Sequence, residues 1–155
     1  MSFRVATMVL GCALLVGACG SPQEFTGTWE RPVGEGFSSL SFDPIDGGYR
    51  VRWAKVDGRA TVRCDDDGLC EEYFGNDKVC DWKFAARAGE ADGELLLEVH
   101  GNPVDASTAP VSYVDRLVLE PGGRALEAHP LSTDGAPDDT SRPILRFRKV
   151  SDLPL

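Results

Sequence analysis

The sequence lacks the motifs that mark the common classes of enzyme. It contains no Gly-x-Ser-x-Gly, no His-Glu-x-x-His and no glycine-rich phosphate loop, and it has only two histidines, His100 and His129. Those motifs supply an activated nucleophile, metal-bound water or a phosphate cradle. Both histidines fall on the side of their predicted strands opposite the apolar residues. We therefore predict a protein with no catalytic residue and no cofactor.

An excess of positive charge is also absent. The chain has 16 Lys and Arg against 25 Asp and Glu, a formal net charge of −9. A protein of this charge is repelled by phosphate backbones and by anionic lipid headgroups. The composition therefore argues against nucleic acid as a partner and against an electrostatic contact with a membrane.

No apolar run is long enough to span a membrane. The longest, residues 5–18, follows a weakly basic start at Arg4 and is interrupted only by Thr7, two glycines and Cys12. Its length is typical of a signal-peptide core and falls short of the roughly 20 residues of a spanning helix. The run therefore predicts a signal peptide.

The run ends on the residues Val-Gly-Ala-Cys at 16–19. Small residues before a cysteine resemble the lipobox of bacterial lipoproteins, which implies cleavage after residue 18 and a lipidated Cys19. Cys12 fits the same pattern more loosely, and an ordinary secretory signal is the remaining alternative. Two or more acyl chains on Cys19 anchor a protein stably to a membrane.

The resemblance divides the chain into three parts: a signal peptide at 1–18, a lipidated tether at 19–24 and a single domain at 25–155. It also implies a location in the cell envelope, with the membrane as a partner through Cys19. An aspartate directly after the lipidated cysteine resembles a signal for retention in the inner membrane. This chain has Gly20 at that position. We therefore expect the outer membrane, facing the periplasm.

The rest of the chain shows the regularly spaced turns of a β-meander and almost no helical pattern. Turn signals rich in Gly, Asp and Asn separate short stretches in which apolar and polar residues alternate. The pattern predicts an all-β fold of ten strands at 25–32, 37–43, 48–55, 59–64, 70–74, 78–88, 94–100, 113–120, 124–130 and 144–150. An antiparallel meander with one apolar face must close or be covered, so we predict a small β-barrel of about 8–10 strands.

The sequence Phe-Thr-Gly-Thr-Trp-Glu at 25–30 resembles the Gly-x-Trp signature of the first strand in lipocalins, here Gly27 and Trp29. The resemblance implies that Trp29 closes one end of the barrel and packs on an arginine near the end of the last strand, Arg146 or Arg148. The chain departs from the family in its short length and in the absence of a C-terminal helical pattern. A turn followed by an ordinary core aromatic is the alternative interpretation.

Three cysteines follow the predicted signal peptide, and that compartment permits disulfides. Cys64 and Cys70 flank a tight turn and can face each other across a hairpin, so this pair is the predicted disulfide. Pairing of Cys70 with Cys80 is the alternative. The cysteines are too far apart in sequence for a metal site of common spacing, and we predict no metal there.

The acidic run Asp65, Asp66 and Asp67, with Glu71, also suggests calcium. It lacks the alternating ligand spacing and the distal bidentate glutamate of an EF-hand. Asp and Gly suit a hairpin turn for conformational reasons alone, so a turn is the favoured interpretation.

Two functional hypotheses follow for a non-catalytic envelope lipoprotein. The lipocalin resemblance implies a small apolar or amphipathic ligand inside the barrel. Alternatively, bulky aromatics fill the barrel, and the protein engages an envelope protein as an interaction or inhibitor module. Its surface would then be the long loops at 101–112 and 131–143, which the strand count places together, at the end opposite residue 25.

Overall fold

The computed structural model describes residues 24–134, the backbone of 136–137 and residues 141–155. Both candidate lipidation cysteines, the predicted signal peptide and residues 19–23 lie outside these ranges. Within them, no helix is long and apolar enough to cross a membrane. The strands are β1 (Gly27–Val33), β2 (Gly36–Ile45), β3 (Gly48–Asp57), β4 (Ala60–Cys64), β5 (Leu69–Phe74), β6 (Asp77–Ala88), β7 (Glu94–Pro103), β8 (Val111–Leu119), β9 (Ala125–Thr133), β10 (Ala136–Pro137) and β11 (Leu145–Ser151).

The strands form one antiparallel meander that closes on itself. Each strand from β1 to β9 pairs with the next, β9 also pairs with β11, and β11 pairs with β1. The two-residue β10 only adds a short pairing to β9. The protein is therefore an all-β, ten-stranded barrel, which confirms the predicted fold class. It is consistent with the lipocalin-like barrel that the Gly-x-Trp signature implies.

The barrel is wider at one end than at the other. The hairpin β4–β5 pairs with β3 only over Lys55 to Asp57, the C-terminal part of that strand. Near its N-terminal end, β3 pairs directly with β6 through Tyr49 and Ala86. Eight strands therefore form the ring at one end, and insertion of the hairpin makes it ten at the other. Because barrel diameter grows with strand number, the interior widens in the direction of the hairpin.

We call the eight-stranded end the closed end and the ten-stranded end the open end. The chain enters the barrel at the closed end. The connection 104–110 and the described ends of the connection from β9 to β11, Asp134 and residues 141–144, lie at the open end, because consecutive antiparallel strands alternate in direction. The two long loops therefore share an end opposite Phe25, as predicted from the strand count. The first of them is shorter than expected because β7 continues to Pro103 and β8 begins at Val111.

The hydrophobic core fills the closed half of the barrel. Trp29, Phe42, Val51, Leu117 and Leu126 have no exposed surface. The end itself is sealed by the rings of Phe25, Phe42 and Tyr49, which meet pairwise with centroids 6.0–6.3 Å apart. Tilted and edge-to-face contacts of this kind add to the stabilisation from burial alone. The described side chains of the closed half thus form one packed core.

Trp29 lies in this core and pairs in register with Lys149 of the last strand. Its Nε1–H donates to the Phe25 carbonyl at 2.8 Å. A side chain at Gly27, whose φ is +117°, would collide with the Ser151 carbonyl oxygen, so this position of the signature requires glycine.

The arginines expected on Trp29 do not lie there. Strand alternation turns Phe147 and Lys149 inward, and Arg146 and Arg148 are exposed on the outer face. Arg146 instead pairs with Glu120 at 2.6 Å. The cation over the Trp29 ring is Lys149, with Nζ 5.5 Å from the ring centroid. The expectation of Arg146 or Arg148 is therefore wrong, and a lysine takes that position.

Candidate functional site

The widening of the barrel depends on how the β4–β5 hairpin is fixed. Cys64 and Cys70 lie directly opposite each other and form a disulfide, as predicted. The Trp53 N–H lies 3.0 Å from Cys64 Sγ and links the hairpin to β3. Cys80 is buried and carries a free thiol, so the alternative Cys70–Cys80 pairing does not occur. Burial, above all, raises the pKa of the Cys80 thiol.

The acidic run at the hairpin tip acts as a turn. One carboxylate oxygen of Asp65 accepts hydrogen bonds from the N–H groups of Asp67 and Leu69 at 3.0 and 2.9 Å. This arrangement is the local backbone mimicry for which Asp is preferred in turns. Among the described residues, no group of three His, Cys, Asp or Glu side chains could hold a metal ion.

Above the core, the interior of the open half is aromatic. The ring of Trp53 meets those of Trp82 and Phe84 edge-on, with centroids 5.6 and 5.8 Å apart. The two indoles also have polar partners: Trp53 Nε1–H donates to Ser38 Oγ at 2.9 Å and Trp82 Nε1–H to Glu72 at 3.0 Å. The open half therefore offers both apolar surface and fixed polar groups.

A cavity of about 130 Å³ lies at this level, between the aromatic layer and the core. Its walls are mostly apolar, with a few polar side chains among them; they include Arg31, Ser38, Leu40, Trp53, Phe84, Leu97, Tyr113, Asp115, Ala128, Leu145 and Phe147. Ordinary ligand pockets measure about 300–1,000 Å³, whereas an apolar cavity of about 150 Å³ is known to hold benzene. The cavity therefore has room for a ring or a short chain.

Arg142 reaches this region from the connection between β9 and β11. Its Nη1 contacts Asp115 at 2.7 Å, and its guanidinium lies 4.3 Å from the centre of the Tyr113 ring. Further hydrogen bonds run to Thr133 Oγ1 and to the Ser132 carbonyl. Burial, above all, raises the pKa of Tyr113 to about 12, so its hydroxyl is neutral at ordinary pH.

Arg31 contributes a guanidinium to the cavity wall. It follows Trp29 by two residues in β1 and shares its inward face. Its Cζ lies 5.7 Å from the centre of the Phe147 ring. Its Nε is buried and has no hydrogen-bond partner. Among the described residues, no carboxylate pairs with it.

A larger groove of about 640 Å³ lies on the outer face of β4–β7. Outward-facing charged residues line it, among them Arg63, Glu71 and Asp81. Lys78 bridges Glu71 and Asp81 at 2.7 Å each, so these two carboxylates already have a partner. Because charged side chains line the groove and mostly apolar ones line the inner cavity, we regard the inner cavity as the better candidate for an apolar or amphipathic ligand.

The rim of the open end carries exposed hydrophobic side chains. Of the eleven large hydrophobic residues that are exposed in the described chain, six lie at this end: Phe37, Val56, Phe74, Val79, Val104 and Ile144. Phe74 and Val104 expose 53% and 58% of their surface. Exposed apolar patches of this kind mark contact surfaces more often than scattered single residues do.

The two histidines do not join either site. His100 lies on the outer face of β7 and its Nδ1 is 2.9 Å from Ser112 Oγ. His129 Nε2 is 2.9 Å from a Glu127 carboxylate oxygen.

Comparison with known proteins adds no relative: no family model matches the sequence, and no match was found among curated proteins or solved structures. The site therefore has to be interpreted from its own residues. Bulky aromatics inside the barrel were predicted from the sequence, whereas Arg31, Asp115 and Arg142 were not among the predicted site residues. Arg31 could have been found from strand alternation, because it follows Trp29 by two positions.

Proposed function

We propose that this protein is a lipid-anchored, non-catalytic envelope protein that holds a small amphipathic ligand in the open half of a lipocalin-like barrel. One observation carries the proposal: a cavity of about 130 Å³ lies between the core and the aromatic layer of the open half, with aromatic walls and polar side chains at the same level. A site of this composition binds apolar surface and orients a polar group at once. The cavity limits the enclosed part of the ligand to about the size of one aromatic ring.

The anchor in this proposal is Cys19, on the outer membrane and facing the periplasm. The chain enters the barrel at the closed end, so a short tether would leave the open end facing away from the membrane. Cys19→Ser should move the protein from the membrane fraction to the soluble fraction, and Cys12→Ser should not. Retention of the Cys19 variant in membranes after a high-salt wash would contradict the anchor.

The ligand site is tested by filling it. Ala128 is buried and lines the cavity, so Ala128→Leu places a larger side chain in the space without changing any charge. Native mass spectrometry of protein extracted from its own membrane should find a small adduct on the wild type that is missing from the variant. An adduct that persists in Ala128→Leu would place the ligand elsewhere.

The exposed rim favours a second candidate function, contact with an envelope protein through the open end. A photo-crosslinking residue at Val104, on the rim, should give one discrete adduct in intact cells. Val150 is the matched control, since it is an exposed valine at the closed end. Equal crosslinking from both positions would remove the rim as a specific contact surface.

A further inference from the structure

Among the residues that the structure describes, the charges inside the open half do not balance. Lys55 pairs with Glu72 at 3.6 Å, and Arg142 pairs with Asp115 at 2.7 Å. Arg31 is left over: its described contact is with the Phe147 ring, and no carboxylate within the described residues pairs with it. Within the described part of the chain, one interior cation therefore lacks a counter-charge, although the net charge of the protein is strongly negative.

The position of the Arg31 guanidinium is energetically unfavourable without a ligand. The Arg31 Nε–H is buried and has no acceptor among the described residues, and a buried donor without a partner destabilises the fold, more so when it is charged. Phe147, which the guanidinium overlies, compensates only in part, because a cation–π contact offers no acceptor to an N–H. A ligand that brings an anionic oxygen to this nitrogen would remove the cost.

One carboxylate, Asp115, also lines the cavity, but its charge is paired with Arg142. The other polar neighbours suit a carboxylate. Ser38 accepts a hydrogen bond from Trp53, which leaves its own hydroxyl proton free to be donated. Tyr113 lines the same cavity, and its neutral hydroxyl can also donate. A guanidinium and two hydroxyls match the acceptor atoms of a carboxylate, and guanidinium–carboxylate hydrogen bonds are among the stronger ones in proteins.

We propose that Arg31 is the anion-recognition residue of the cavity and that the ligand is a small monocarboxylate with an apolar body no larger than about one aromatic ring. This inference rests on the ligand-binding function proposed above and adds the chemical class of the ligand. The carboxylate lies at Arg31, and the apolar body lies against Phe84, Leu97 and Phe147.

The test compares two probes that differ in charge. The full-length protein is placed in nanodiscs of zwitterionic phosphatidylcholine, and binding of 4-fluorobenzoate and of neutral 4-fluorobenzyl alcohol is measured by ¹⁹F NMR against empty nanodiscs. We expect the acid to bind the wild type at least tenfold more tightly than the alcohol. Arg31→Gln should abolish that preference, and Arg31→Lys should keep part of it.

Two controls separate the outcomes. Arg148→Gln removes an exposed arginine on the outer face of β11 and should leave the preference intact. Ala128→Leu should weaken the binding of both probes by the same factor. Equal affinity for acid and alcohol in the wild type, or a preference that survives in a folded Arg31→Gln protein, would overturn the role of Arg31 and leave the ligand site standing. Failure of both probes to bind the wild type would overturn the ligand site together with this inference.

Discussion

Replacement of Trp29 by alanine should remove a large part of the stability of the barrel. The side chain has no exposed surface, and its indole donates a hydrogen bond to the Phe25 carbonyl. Burial of about 200 Å² at about 25 cal/mol per Å² contributes roughly 5 kcal/mol, and truncation of a core Trp typically costs 3–5 kcal/mol. We expect Trp29→Ala to lower the free energy of unfolding by about 4 kcal/mol. This is a large part of the total, because the free energy of unfolding of a whole domain is only about 5–15 kcal/mol.

Two matched variants divide this loss among its causes. Trp29→Phe keeps a ring in the core and removes the indole N–H, so it should cost about 1–2 kcal/mol. Lys149→Gln removes the cation over the ring and should cost at most about 1 kcal/mol. The order of the three variants should therefore be Trp29→Ala, then Trp29→Phe, then Lys149→Gln.

The assay is urea unfolding of the full chain in detergent, followed by near-ultraviolet circular dichroism and by intrinsic fluorescence. Coincident transitions from the two probes justify a two-state free energy of unfolding. A loss below about 1 kcal/mol for Trp29→Ala would refute the view that this residue closes the barrel. A loss of several kcal/mol for Lys149→Gln would place the energy in the cation instead.

Three further predictions concern the backbone, the disulfide and pH. Gly27→Ala should destabilise the barrel more than Gly122→Ala, because both positions have positive φ but only the first Cβ would collide with β11; urea midpoints check this. Replacing Cys64 and Cys70 by serine should cost about 2 kcal/mol in the free energy of unfolding, from loop entropy alone. Stability should fall between pH 10 and about 12, because the folded state holds the Tyr113 proton more tightly than the unfolded chain does, and Tyr113→Phe should flatten that fall in pH-dependent unfolding.

The strand order could be predicted because the sequence marks the ends of the strands. Turn residues separate the strands, and alternation within β6 and β7 assigns inner and outer faces without any tertiary information. The Cys64–Cys70 disulfide followed from the same hairpin geometry. Closure of the meander followed from the need to cover its apolar face.

The interior of the open half could not be predicted in the same way. The direct pairing of Tyr49 with Ala86 depends on how far each hairpin strand extends, which local patterns do not set. The position of Arg142 depends on a long connection with no periodic signal. The error over Arg146 and Arg148 was different, because alternation with Phe147 already places both on the outer face.

The central claim, that the open half of the barrel is the ligand site, is tested most directly by the indole N–H signals of the protein during a titration. The chain has three tryptophans, and each indole lies at a different place: Trp29 in the closed half, Trp53 in the cavity wall and Trp82 beside Glu72. In a ¹H–¹⁵N spectrum, 4-fluorobenzoate should shift the Trp53 signal strongly and leave the Trp29 signal in place. Saturable binding of 4-fluorobenzoate without a shift of the Trp53 signal would contradict the claim and would favour the outer groove as the binding site.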